Sequence, residues 1–203
     1  VNTRMQKKVL LLHTGGTIGM EDVALQPKTK LKSQNAHYLA PDTTFSKSLK
    51  KSVPELWRLA NIEVRTLANK DSSELTPSDW VALAGIITEA QDDYAAFVVT
   101  HGTDTMVYTG TALSYLLPYP CRPVILTGSQ KPLQEVRNDA RRNLINSVAQ
   151  GVSQRICEVS IFFDTKLLRA NRSKKIHIEE FNTFDSPNFA PLGEERLNTL
   201  YSP

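Results

Sequence analysis

The sequence predicts an α/β fold in which a mostly parallel, doubly wound sheet is flanked by helices. Short β-branched and apolar runs alternate along the chain with longer stretches of helical periodicity, and this alternation is typical of parallel strands joined by crossover helices. Two of the apolar runs end in polar turns that contain glycine, at residues 14–17 and 101–105. Because ligands of open α/β sheets bind at the carboxyl ends of the strands, the chemistry is expected at these turns.

The helix that begins near residue 77 has the clearest local signal. Thr76 precedes Pro77, and Asp79 stands three residues after the threonine, which is the pattern of a capped helix start with proline at the first helical position. The apolar residues that follow recur with the helical period and are expected in the core. In chain order, the predicted strands cover residues 8–13, 62–67, 96–100, 124–127 and 158–163, and the predicted helices cover residues 77–91, 105–117 and 137–150.

Two stretches lack this regularity. Residues 21–61 show poor periodicity and are interrupted by three prolines. Long irregular connections in compact domains are usually functional or disordered, so this stretch is interpreted as a mobile lid with one short helix over residues 53–60. From residue 164 onward the pattern is irregular and basic.

Composition excludes several classes of protein. The formal net charge is +3, from 24 basic and 21 acidic side chains, and this surplus is too small to indicate nucleic acid or a membrane as the partner. Cys121 and Cys157 provide neither a disulfide framework nor a zinc-binding spacing. No segment approaches the ~18 apolar residues of a membrane span. One large, soluble, intracellular domain is therefore expected from these 203 residues.

The glycine turns supply hydroxyl groups, which are poor nucleophiles unless a base removes their proton. His13 and His101 precede the two turns, and such side chains are expected to pack or cap rather than to transfer protons. A lysine held near a threonine and positioned by Asp104 is the other route. The chain lacks a phosphate loop, a dinucleotide fingerprint and a Gly-x-Ser-x-Gly elbow. The residues alone leave open a hydrolase or a binder of a small polar ligand.

Five motifs follow one another along the chain: TGGTIGM at residues 14–20, DSS at 71–73, HGTDTM at 101–106, LTGSQ at 126–130 and NRSKK at 171–175. Their order and spacing resemble the bacterial-type L-asparaginase family, and most of all its cytoplasmic type I branch. The resemblance covers nearly the whole chain, and two of the motifs are signatures of that family. It implies an asparaginase that hydrolyses the side-chain amide of L-asparagine to L-aspartate and ammonia through a threonine acyl-enzyme.

The resemblance also implies the catalytic residues. Thr17 matches the family's nucleophile, which attacks the side-chain amide carbon. Thr103, Asp104 and Lys175 match a second set, in which the lysine and the aspartate activate a threonine and, with it, the attacking water. Lys175 is assigned rather than Lys174 because it stands at the family's distance before the SPN turn.

The same resemblance implies the substrate-binding residues. Ser72 and Ser73 match the pair that holds the α-amino and α-carboxylate groups of the substrate, and Asp104 also reaches the ammonium. Backbone N–H groups near Gly16 and Thr103, or at Ser129, would stabilise the oxyanion. No metal or organic cofactor is implied. The substrate that the resemblance implies is L-asparagine, with L-glutamine as a second candidate.

For the domain organisation, the resemblance implies that residues 1–190 form the N-terminal catalytic domain and that residues 191–203 begin an interdomain linker. The C-terminal domain of the family is expected to be absent from this chain. In the family, the C-terminal domain of a neighbouring subunit completes each active site. A homodimer or homotetramer is therefore implied for the complete protein, and weak or no turnover for the chain alone.

Two smaller departures from the family pattern concern single residues. The family has a tyrosine on the lid about ten residues after the nucleophile, whereas residues 21–37 contain none and Tyr38 is too distant to assign. Ala140 stands where related chains usually have glycine, and the exchange is expected to be tolerated.

Two alternatives to an asparaginase stay open. One is the glutaminase-type subunit of a tRNA amidotransferase, which uses a similar domain but carries an extra N-terminal domain. The other is a non-catalytic module that binds asparagine and senses its concentration, which the missing tyrosine and C-terminal domain would permit.

Overall fold

The computed structural model describes residues 6–19, 43–195 and 200–201. Its helices are α1 (Thr43–Ser52), α2 (Leu56–Leu59), α3 (Pro77–Ala90), α4 (Met106–Leu116) and α5 (Ala140–Ser153). Its strands are β1 (Lys8–Gly15), β2 (Asn61–Lys70), β3 (Ala96–Thr100), β4 (Val124–Thr127), β5 (Val159–Phe163), β6 (Lys166–Arg169), β7 (Lys174–Lys175), β8 (Phe184–Asp185), β9 (Gly193–Glu194) and β10 (Leu200–Tyr201).

Eight of these strands form one sheet, in the order β10-β9-β6-β5-β4-β3-β1-β2. The five strands from β2 to β5 in that order run parallel. β6, β9 and β10 continue the β5 edge as antiparallel strands, and β7 and β8 pair as a separate antiparallel ribbon. The predicted mostly parallel α/β sheet is confirmed.

Alternate residues of each central strand are buried on opposite faces of the sheet. In β1, Leu10 and Leu12 pack in a cluster with residues of α3 and α4, whereas Val9 and Leu11 pack in a cluster with residues of α1, α2 and α5. All four side chains are fully buried, and burial of an apolar side chain of this size contributes about 1.5–3 kcal/mol. Helices cover both faces, which is the doubly wound arrangement that the sequence predicts.

The predicted bounds are best in the centre of the chain. β3 and β4 occupy the predicted residues, and α3 ends at Ala90, one residue earlier than predicted. β2 is longer than predicted and continues to Lys70. The prediction of an irregular chain from residue 164 onward is wrong where β6, β9 and β10 join the sheet, because strands of two to four residues are too short to show an alternating pattern.

The lid prediction is wrong for residues 43–52, which form α1. Leu49 of this helix is fully buried, and Phe45 stacks on His13 with ring centroids 4.0 Å apart. The helix predicted over residues 53–60 is reduced to the single turn of α2. The remainder of the predicted lid, including Tyr38, lies outside the described residues. No helix in the described part of the chain is long and apolar enough to cross a membrane.

The start of α3 allows a test of its cap. Asp79 accepts a hydrogen bond from the backbone N–H of Thr76 at 2.8 Å, and Lys70 lies 3.2 Å from the carboxylate. Burial raises the pKa of Asp79, but the bonds from Thr76 and Lys70 outweigh it and the net pKa is lowered. A lowered folded-state pKa stabilises the fold above the unfolded pKa and ceases to do so as the pH falls through the folded value.

We therefore expect Asp79→Ala to lower the free energy of unfolding by about 1 kcal/mol at pH 7. Urea unfolding measured at pH 7 and again near pH 3 should show the difference shrinking at the lower pH. Glu89→Ala, on the exposed face of the same helix, is the control and should change stability little at either pH. If Asp79→Ala lowers the free energy of unfolding as much at pH 3 as at pH 7, the charge of Asp79 does not stabilise the helix start as proposed.

Candidate active site

The two glycine turns meet at the carboxyl ends of β1 and β3. Gly15 and Gly16 both have positive φ, at 113° and 85°. A Cβ atom added to Gly16 would lie 2.5 Å from the backbone nitrogen of Gly102, so the turn after β1 packs directly on the turn after β3. The half-buried Thr17 follows in a short 3-10 turn that ends at Gly19.

This close approach predicts that Gly16→Ala disrupts the site. The substitution adds a methyl group where only 2.5 Å is available, in a backbone conformation that L side chains rarely adopt. We expect a loss of at least about 2 kcal/mol in the free energy of unfolding, measured by urea denaturation. Gly85→Ala is the matched control, because nothing lies within 4 Å of its added Cβ atom. A Gly16→Ala protein as stable as wild type would contradict the packing of the two turns.

Three of the predicted catalytic side chains form one cluster. Lys175 Nζ donates to Thr103 Oγ1 at 3.1 Å and to Asp104 Oδ1 at 2.7 Å. The side chain of Lys175 is 19% exposed and that of Asp104 is 69% exposed, so the amine is sheltered while the carboxylate faces solvent. Lys174, the other lysine considered, is exposed. The pairing of β7 with β8 presents Lys175 to the turn after β3.

The predicted substrate-binding serines lie in the 3-10 turn that follows β2. Ser72 is 3% exposed and contacts the β3 turn, since a Cβ atom on Gly102 would lie 2.8 Å from Ser72 Oγ. Its carbonyl accepts a 2.6 Å hydrogen bond from the Thr105 hydroxyl. Ser73 is exposed, and both its hydroxyl and its backbone N–H donate to Asp71. These two bonds lower the pKa of Asp71, so a carboxylate stands beside the serine pair.

Ser129 lies in the turn after β4, on the opposite side of the β3 turn. It is 1% exposed, and its hydroxyl has no hydrogen-bond partner among the described residues. Asp139 accepts from the backbone N–H of Gln130 at 3.0 Å, and Asn143 donates to the Gly128 carbonyl at 3.0 Å. The sequence reasoning misses Asn143. Its position four residues after Asp139, on the face of α5 that also carries Leu144 and Val148, is the signal that could have found it.

Both histidines near the turns lie in the interior. His13 is 3% exposed, and its Nδ1 atom lies 2.8 Å from Thr100 Oγ1. His101 is 1% exposed and hydrogen-bonded at both ring nitrogens. Burial lowers the pKa of His101, so this ring is neutral at pH 7.

Other candidate sites are weaker. In the described part of the chain, no group of three or more His, Cys, Asp or Glu side chains is placed to hold a metal ion. A cavity of about 360 Å³ lies at the amino ends of the strands, between the end of α4 and the start of β5. None of the predicted site residues lines this cavity.

The fold and this cluster define a class of protein: doubly wound α/β proteins that bring hydroxyl, amine and carboxylate groups together at the carboxyl ends of parallel strands, where small polar ligands bind. Within that class, the chain belongs to the asparaginase family. The family model that describes the asparaginase N-terminal domain matches residues 8–201.

Individual relatives agree with this assignment. The chain is 41% identical over 205 residues to L-asparaginase 1 of Escherichia coli K12, covering 98% of this chain and 58% of that protein. It is similar to the crystal structure of L-asparaginase I from Vibrio cholerae, with a TM-score of 0.79, 37% identity and coverage of 97% of this chain and 56% of the other. It is also 35% identical over 158 residues to a glutamyl-tRNA(Gln) amidotransferase subunit of Pyrococcus abyssi, covering 73% of this chain and 36% of that protein. The chain therefore spans little more than half the length of these two asparaginases.

Proposed function

We propose that the protein hydrolyses the side-chain amide of L-asparagine, giving L-aspartate and ammonia, through an acyl-enzyme on Thr17. The observation that carries the proposal is the cluster in which Lys175 Nζ contacts both Thr103 Oγ1 and Asp104 Oδ1, at 3.1 and 2.7 Å. The cluster lies at the turn on which the glycine turn before Thr17 packs. A hydroxyl beside an amine that is itself held by a carboxylate is a recognised arrangement for activating a nucleophile.

The reaction proceeds in two steps. In the first, Thr17 Oγ1 attacks the amide carbon of the substrate and gives up its hydroxyl proton, the C–N bond breaks, the leaving nitrogen takes up that proton, and ammonia departs. In the second, the Thr103, Asp104 and Lys175 cluster removes a proton from a water molecule, which attacks the acyl carbon and releases L-aspartate. As the acyl C–O bond breaks, the proton taken from water passes to Thr17 Oγ1 and restores its hydroxyl. Backbone N–H groups near Gly16, Thr103 or Ser129 stabilise the oxyanion in both steps.

The remaining polar groups of the site fit an α-amino acid. The hydroxyls of Ser72 and Ser73 hold the α-carboxylate and α-ammonium groups, and the exposed Asp104 carboxylate also reaches the ammonium. Asp71, which fixes Ser73, adds negative charge on the side where the ammonium binds. The 69% exposure of Asp104 leaves this end of the site open to solvent, so the chain alone is expected to turn over slowly. A cytoplasmic homo-oligomer is the corresponding proposal for the complete protein.

The test is ammonia release from L-asparagine and from L-glutamine. It is measured with the 203-residue chain alone and with the chain fused to the C-terminal segment of Escherichia coli L-asparaginase 1. We expect equimolar L-aspartate and ammonia from the fusion and much slower release from the chain alone. Full activity of the chain alone would refute the open-site argument, and an inactive fusion that is correctly folded would refute the proposed reaction.

Two other functions predict different results, one in the ammonia assay and one in that assay combined with a binding measurement. The likeness to a subunit of a tRNA amidotransferase makes a glutaminase the second candidate, and a strong preference for L-glutamine over L-asparagine would favour it. A sensor would bind L-asparagine in calorimetry without releasing ammonia from the fusion. Both outcomes are separable from asparaginase activity because substrate preference and binding are measured independently.

A further inference from the structure

His101 directly precedes the turn that carries the candidate machinery, and it contacts α4 behind that turn. Nδ1 lies 2.8 Å from the carbonyl oxygen of Gly102, and Nε2 lies 2.8 Å from Thr109 Oγ1. The indole N–H of Trp80 donates to the same threonine oxygen at 2.9 Å. A continuous chain of polar contacts thus runs from α3 through α4 to the turn after β3.

The chemistry of these groups fixes where the protons are. A carbonyl oxygen only accepts, so Nδ1 of His101 carries a hydrogen and donates it to Gly102. Burial lowers the pKa of His101 and outweighs the opposite effect of this bond, so the ring is neutral and Nε2 accepts. The Thr109 hydroxyl then donates to Nε2, and its oxygen accepts from Trp80, whose indole N–H only donates.

The carbonyl that His101 holds belongs to Gly102, where a side chain that would restrict the backbone does not fit. A Cβ atom on Gly102 would lie 2.8 Å from both Cβ and Oγ of Ser72, so the site requires glycine there, with its greater backbone freedom. The peptide unit between Gly102 and Thr103 is planar and trans. A clamp on its carbonyl therefore also sets the direction of the Thr103 N–H and the start of the Thr103–Asp104 turn.

We propose that His101 is a positioning residue for the reaction: held by Thr109 and Trp80, it clamps the Gly102 carbonyl and so keeps Thr103 and Asp104 in register with Lys175. This inference rests on the proposed function for its kinetic consequence. Its structural content is independent, because the tautomer of His101 is the same whatever the substrate.

The first test is therefore spectroscopic. Long-range ¹H–¹⁵N correlation spectra of the 203-residue chain at pH 7 report the protonation state of each imidazole nitrogen, and His101→Gln assigns the signal. We expect Nδ1 protonated and Nε2 bare. A ring protonated at Nε2, or at both nitrogens, would overturn the clamp without bearing on whether the protein is an asparaginase.

The second test is kinetic and uses the fusion that turns over L-asparagine. Thr109→Val removes the donor to His101 at nearly constant volume, and we expect kcat to fall by about tenfold to a hundredfold with KM changed less than about twofold. Thr109→Ser keeps the hydroxyl and should restore most of kcat. Thr111→Val, a half-buried threonine on the same helix, is the matched control and should leave kcat unchanged.

Trp80→Phe provides a second variant if Thr109→Val proves too unstable to assay, because it removes the indole donor to Thr109 and keeps an aromatic ring at that position. We expect it to lower kcat by a smaller factor in the same direction. An unchanged kcat in both variants would overturn the proposal. So would a loss in Thr109→Val that Thr109→Ser shares in full, since packing rather than the hydroxyl would then be responsible.

Discussion

Thr17→Ala is expected to abolish turnover of L-asparagine in the active form of the protein while leaving the fold intact. The substitution removes the oxygen that forms the acyl-enzyme, and loss of a nucleophile typically lowers kcat by at least about 10⁴-fold. Thr17 is half-buried, and loss of its hydroxyl should change the free energy of unfolding by at most about 1 kcal/mol. Steady-state ammonia release and urea denaturation measure the two quantities separately.

The control for this variant is Thr17→Ser, which retains a hydroxyl at the same position of the turn. It should keep measurable activity, and mass spectrometry after rapid quenching should detect an aspartyl group on the peptide that contains residue 17. Thr17→Ala should show no such adduct. Near-native turnover by Thr17→Ala would assign the nucleophile to another residue, whatever the serine variant does.

The central strands could be predicted from the sequence because burial on both faces leaves an unambiguous pattern. Ala96–Thr100 and Val124–Thr127 are fully apolar or β-branched, are bounded by polar turns, and have the predicted ends. Helix α1 could not be predicted in the same way. Only Phe45 and Leu49 of its ten residues are apolar, and its position depends on contacts with β1 that become visible only once the chain has folded.

Some residues of the candidate site could likewise be predicted from the sequence, and others could not. The turns with Gly16 and Gly102 could be located from the residues alone, because glycine after a buried strand indicates a turn at the carboxyl end of the sheet. Lys175 lies 71 residues after Asp104, in a ribbon whose two-residue strands leave no periodic signal. The contact between Lys175 and Asp104 could be predicted only from the family resemblance. The contacts of His101 could not be predicted at all, since they join residues of three elements whose packing the sequence does not specify.

Lys175→Met is expected to lower kcat by about 10³-fold with little loss of stability. The amine of Lys175 has two contacts, an exposed one with Asp104 and a sheltered one with Thr103. The salt bridge to Asp104 involves a carboxylate that is 69% exposed, and breaking such a pair costs at most about 1 kcal/mol. The amine itself is sheltered and is the donor that contacts Thr103 Oγ1, so its removal leaves the water-activating threonine without its proton partner. The rate of ammonia release should therefore fall strongly, whereas the free energy of unfolding measured by urea denaturation should change little.

Lys174→Met is the matched control for this prediction, since the neighbouring lysine is exposed and its loss removes the same charge from the same ribbon. It should leave kcat within about twofold of wild type. If Lys175 and Thr103 act as one unit, the double variant Lys175→Met with Thr103→Ala should be hardly slower than either single variant, because each alone already disables the unit. Effects that multiply would show instead that the two side chains serve separate steps, and an equal loss in Lys174→Met would attribute the effect to the charge of the ribbon rather than to the contact with Thr103.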